Sequence, residues 1–151
     1  MFEYVHHVAY AVEDLEHAIG VFRDTFGLTM VDRRVVEGPV SFEMATFRCG
    51  ATLIELQRPI HYPELSQFLK DRGPGLCHVA FAVKDLPGCI AELGAKGVTF
   101  KPPGAFVAGT GWTIANFDLA RCDLPYFASP YHDDHLAQAD TQKTVSDTVF
   151  R

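Results

Sequence analysis

Hydrophobic positions change period several times along the chain, and each change marks an element. From Tyr4 to Val12 they alternate, with His7, Ala9 and Ala11 on one side and Val8, Tyr10 and Val12 on the other, the two-residue period of a strand. One side is bulky and suits packing under a helix; the other is small, carries a histidine and suits the border of a cavity. Asp14 then reads as an N-cap, followed by Leu15, Ala18, Ile19, Phe22 and Phe26 at helical spacing and by Gly27 as a stop. Strand patterns follow at Thr29 to Val36, Ser41 to Cys49 and Ala51 to Leu56, the last two joined by a turn around Gly50. Pro63 to Asp71 predicts a short helix with Leu65, Phe68 and Leu69 inward, and Gly73-Pro74-Gly75 a linker.

The pattern then starts again. His7 to Leu15 reads HVAYAVEDL and His78 to Leu86 reads HVAFAVKDL, identical at seven positions and offset by 71 residues in a chain of 151. Asp85 repeats the cap, Ile90 and Leu93 the helix, and Gly97 the stop. A strand at Val98 to Lys101, a Pro and Gly loop, and strands near Thr113 to Asp118 and Leu124 to Ser129 complete the second copy. At the same offset Leu53 falls on Leu124, Pro59 on Pro130, His61 on His132 and Leu65 on Leu136. This predicts an α+β chain of two tandem βαβββ modules, residues 1–72 and 73–136, in a single structural domain. The polar stretch 137–151 lacks periodicity and reads as a loosely held tail.

Composition narrows the picture. With 48% hydrophobic residues the chain can bury an ordinary core. Its apolar runs fall short of the roughly 18 to 20 residues of a membrane span, and no basic leader precedes the first strand, so a mature cytoplasmic protein is expected. Cys49, Cys77, Cys89 and Cys122 form no CxxC pair and read as free thiols, mostly buried. A net charge of −6 without a dense basic stripe argues against nucleic acid or an anionic membrane as partner. An anionic small-molecule substrate would need local help from Arg33, Arg34, Arg58, Arg72 or Lys101.

The repeat also carries the chemistry. His7 and His78 open the two copies at equivalent strand positions, and Glu55 lies between Ile54 and Leu56 in the run LIELQRP. A carboxylate among such neighbours is costly to bury unless it is paired or coordinated. Two imidazoles and a carboxylate suit a borderline divalent ion such as Co²⁺, Mn²⁺, Ni²⁺ or Zn²⁺. His6 points to the opposite side of its strand and receives no role. Trp112, in the loop GTGWT, reads either as a lid over the site or as a surface anchor. Asp133 and Asp134, near His132 and His135, read as solvated tail.

The segments HHVAYAVEDL, VFRDTFGL, TLIELQRP and SQFLKDRGPGLCHVAFAV make the chain resemble the vicinal oxygen chelate superfamily, the glyoxalase fold, and within it the methylmalonyl-CoA epimerase-like branch. The resemblance covers residues 4 to 100 and is weak in the last strands. It implies paired βαβββ modules forming a cupped, open mixed β-barrel around a divalent metal, with His7, Glu55 and His78 as ligands. It also implies a Glu on the final strand as fourth ligand and proton-transfer base, and there the chain has Tyr126, opposite Glu55 in the repeat.

Three readings of the site are open. Tyr126 could ligate the metal or hold a metal-bound water, with Asp118, His61, His132 or Glu43 as the base; Glu43 or Tyr126 is the expected proton shuttle. The cup could be metal-free and bind an aromatic or antibiotic-like molecule, lined by Phe106, Trp112, Tyr126 and Phe127. Or the three polar residues could pair with one another in a scaffold. The leading expectation is a metal-dependent isomerase or lyase acting on a small carbonyl or acyl-thioester substrate through a metal-stabilised enolate. The family resemblance further implies a homodimer, with Gly73 to Gly75 as the hinge for any exchange of modules.

Overall fold

The computed structural model describes residues 1–118 and the backbone of 128–132. Two compact units emerge: His7–Val79, and Met1–His6 with the described residues from Ala80 onward. The division falls inside two strands, after His6 and after Val79, and leaves the Gly73–Gly75 linker within the first unit. No helix among the described residues is long and apolar enough to cross a membrane.

The first unit is built on strands in the order β2-β3-β4-β1-β5, where β1 is Phe2–Ala11, β2 Thr29–Val36, β3 Ser41–Cys49, β4 Thr52–His61 and β5 Gly75–Val83. β1 runs parallel to β4, with His7 opposite Leu53 and Ala9 opposite Glu55. β2, β3 and β4 form an antiparallel meander. β4 is longer than the expected strand ending at Leu56. It continues through Pro59 because the ladder to β3 shifts register there, Phe42 pairing with Pro59 and Ser41 with His61, and such an irregularity tolerates a residue without an N–H.

Helix α1 (Leu15–Gly20) starts where the sequence predicts: the Asp14 side chain accepts from the His17 N–H at 2.9 Å. It does not run on as one α-helix. Val21–Thr25 form a π-helical turn, with the Phe26 N–H bonding the Val21 carbonyl at 3.0 Å. The wider winding of such a turn rotates the side chains beyond it about the helix axis. Phe22 therefore packs into the core, 5.8 Å from the Phe47 ring, whereas Phe26, expected inward, is 60% exposed. Val12, Leu15, Ile19, Ala45, Phe47 and Leu56 form the core on this side of the sheet.

Helix α2 (Pro63–Arg72) covers the other side, setting Leu65 and Leu69 on Ala9, Ala11 and Cys77. At Ala9 and Ala11 the small face of β1 is thus a packing seat for a helix rather than the border of a cavity. Alanine at both positions lets the helix approach closely, and neither is exposed.

In the second unit the strand order is β5-β8-β7-β6, with β6 Phe100–Val107, β7 Thr113–Phe117 and β8 Ala128–His132. Helix α3 (Leu86–Ala95) is capped by Asp85, whose side chain accepts from the Gly88 N–H at 3.0 Å, and it buries Leu86 and Cys89 against Val83 and Ala115. The segment Pro102-Pro103-Gly104, expected to be a loop after Lys101, lies inside β6. The ladder jumps from Phe100 opposite Phe117 to Ala105 opposite Ala115, so the prolines occupy an irregular stretch. Cys77 and Cys89 are buried free thiols and Cys49 is an exposed one; Cys122 lies outside the described residues.

Candidate metal centre

Three side chains predicted from the sequence converge inside the first unit. His7 on β1, Glu55 on β4 and His78 on β5 each offer one ligand atom, and these atoms all lie within 4.8 Å of one another. Local structure dictates the meeting. Parallel pairing of β1 with β4 sets Ala9 beside Glu55, and alternation puts His7, Ala9, Glu55 and Gln57 on the side of the sheet that α2 covers. β5 brings His78 alongside β1, where the Cys77 thiol donates to the Ala9 carbonyl at 3.2 Å.

The Nε2 atoms of His7 and His78 are 3.0 Å apart. At that distance one nitrogen donates and the other accepts, in an order set by the tautomers, and a ring nitrogen ligates a metal only once it is free of its proton. Burial favours the neutral form of His78, pulling its pKa down to about 4. His7 is not exposed at all, and Glu55 is 1% exposed. Glu55 Oε2 lies 3.7 Å from His7 Nε2 and accepts from the Gln57 amide at 2.8 Å. Its other oxygen, Oε1, is buried with no hydrogen-bond partner. Burial raises the Glu55 pKa to about 7, against the opposing pull of the Gln57 hydrogen bond.

A divalent ion fits this donor set. An orphaned buried carboxylate oxygen is a costly feature that coordination would satisfy. His7, His78 and Glu55 supply two borderline nitrogens and one hard oxygen.

Other predicted residues lie elsewhere. Glu43, expected as a proton shuttle, is not brought to this cluster: it pairs across the ladder with Arg58, and their side chains form an ion pair beside Glu13, Asp14 and Glu16. Parity is the physical reason. Glu43 shares its face of β3 with Ala45 and Phe47, under α1, whereas Thr46 is the residue opposite Glu55. His61 is exposed at the end of β4, and Asp118 follows β7 with its N–H bonded to the Thr99 carbonyl at 2.8 Å. Phe106 and Trp112 pack in the second unit around Ala80 and Ile114, and Trp112 meets the His6 ring edge-on at 4.6 Å between centroids. His6, given no role, is thereby a buried packing residue, 7% exposed. Tyr126, Phe127 and the polar stretch 137–151 lie outside the described residues, as does the side chain of His132.

The basic residues proposed to attract an anion are mostly engaged. Arg33 pairs with Glu16, Arg34 with Asp32 at 2.9 Å, and Arg72 lies over the Phe68 ring at 5.7 Å. Gln57 is the site residue that the sequence reading passed over. The signal was its place two residues beyond Glu55, which gives it the same face of the strand.

The chain is similar to known proteins in sequence and in fold. A 2-epi-5-epi-valiolone epimerase from Actinomyces sp is 28% identical over 141 residues, 84% of this chain and 74% of its own. The methylmalonyl-CoA epimerase of Mycobacterium tuberculosis superposes with a TM-score of 0.73 at 24% identity, over 89% of this chain and 91% of that one. A Streptomyces coelicolor methylmalonyl-CoA epimerase variant in complex with 2-nitronate-propionyl-CoA gives 0.74 at 21% identity, over 88% and 99%. The α+β fold is glyoxalase-like by these structural likenesses. A family model matches residues 6–116, a span that holds His7, Glu55 and His78 together with both copies of the repeat, and the chain belongs to the Glyoxalase/Bleomycin resistance protein/Dioxygenase superfamily.

Proposed function

We propose that this protein is a metal-dependent isomerase of the epimerase type, which moves a proton at a carbon next to the carbonyl of a small ketone or acyl thioester. The observation that carries the reading is the buried Glu55 carboxylate, one oxygen unpartnered, beside two facing imidazoles. Relatives named as epimerases, one of valiolone type and one of methylmalonyl-CoA, support the class of reaction.

His7, Glu55 and His78 would hold the ion. A divalent ion there supplies Lewis acidity, which lowers the cost of the negative charge that grows on a carbonyl oxygen as the adjacent C–H loses its proton. The protein's own part is to fix the ligands and to keep the site dry. The ladder between β1 and β4 sets His7 and Glu55, and the Gln57 amide orients the carboxylate. Leu65 and Leu69 of α2 close the same side of β1 to water two and four residues beyond His7. A 1,1-proton transfer needs a group that takes the proton and a group that returns it. We assign one of these parts to the phenol of Tyr126, Glu55's counterpart in the repeat.

Deuterium wash-in tests this reading. Metal-loaded protein in D2O should exchange the proton next to the carbonyl of methylmalonyl-CoA or of an epimerisable cyclic ketone, followed by NMR. His7→Ala and Tyr126→Phe should each slow the exchange at least tenfold. Exchange by neither substrate class, or exchange undiminished in His7→Ala, would overturn it.

A further inference from the structure

We infer that Gln57 is a positioning residue of the metal centre, one that fixes the Glu55 carboxylate by holding Oε2, the oxygen that lies 3.7 Å from His7 Nε2. The inference rests on the metal reading above and deepens it. β4 is an interior strand, and Gln57 stands on it between Ala11 of β1 and Met44 of β3, both wholly buried. Its own backbone carbonyl accepts from the Val12 N–H at 3.0 Å, so the residue is held on both sides. An aliphatic side chain would satisfy the packing at this position. A primary amide that is only 4% exposed costs free energy unless its hydrogen bond is used.

That hydrogen bond goes to one carboxylate oxygen. The Gln57 Nε2 donates to Glu55 Oε2 at 2.8 Å, while Oε1 is left buried without a partner. A carboxylate gripped at one oxygen by a fixed donor can neither rotate nor offer both oxygens equally to an ion. Held in this way, Glu55 would offer an ion a single oxygen. Partners of this kind around a metal ligand orient it and sustain affinity.

The test is a Co²⁺ titration of the full chain, stripped of metal, with the visible absorption of bound cobalt as readout. Gln57→Leu and the length-matched Gln57→Met are compared with the unaltered protein, all checked for native circular dichroism. The expected result is Co²⁺ affinity about 10- to 100-fold weaker in both variants, with a shifted and weakened visible band as the freed carboxylate adds a second oxygen. If the unaltered protein binds Co²⁺ and either folded variant binds it with the same affinity and the same band, the positioning role is overturned while the metal reading stands. If the unaltered protein binds no Co²⁺, the metal reading fails and takes the inference with it.

Discussion

At the scale of single residues, the protonation state of Glu55 governs what the site can hold. Burial raises its pKa to about 7, and a proton must leave before an ion can take its place. The imidazole of His78, depressed to about 4, is already neutral above pH 5 and adds no further dependence there. Apparent metal affinity should therefore rise about tenfold per pH unit between pH 5 and 7 and level off above about pH 7.5. Isothermal titration at several pH values checks the sign: affinity that is flat or falls over this range would mean that Glu55 does not bind the ion. The Arg58–Glu43 pair is a contrasting case. It is half-exposed, so Arg58→Ala should change stability by less than about 1 kcal/mol in urea unfolding.

Secondary structure was legible wherever one residue's chemistry decides it. Asp14 and Asp85 cap their helices as the sequence predicts, each accepting from the backbone N–H three residues on. Replacing either by alanine should cost about 1 kcal/mol, read as a lower urea midpoint with unchanged slope. β2 and β3 begin and end where their patterns do. The features that could not be read from the sequence depend on partners far along the chain. The irregular ladders at Pro59 and at Pro102-Pro103 exist because a neighbouring strand accommodates them, and a proline alone reads as a break. The π turn that exposes Phe26 leaves the apolar spacing of α1 unchanged. Where Glu43 lies was hidden for the same kind of reason. Its face relative to Glu55 comes from the register of β3 on β4, which no single strand's alternation contains. His7 and His78 were legible because the chain states them twice, and Gln57 could have been found from Glu55 by counting two.

At the scale of the whole molecule, an ion bound only by the folded chain should stabilise it. At a free concentration about 100 times its dissociation constant, a divalent ion adds about 2.7 kcal/mol. For a domain of this size that raises the melting temperature by roughly 5 to 10 °C. Thermal shift with Co²⁺, Mn²⁺, Ni²⁺ and Zn²⁺ separates a metal enzyme from a metal-free binder: indifference to all four, with stabilisation by aromatic compounds instead, would favour the binder. The most direct measurement is the metal content of the protein, equilibrated with one divalent ion and freed of excess, beside His7→Ala, Glu55→Ala and His78→Ala. The account predicts close to one ion per chain in the unaltered protein and little or none in each variant. No bound ion, or full binding that survives loss of any of the three side chains, would contradict it.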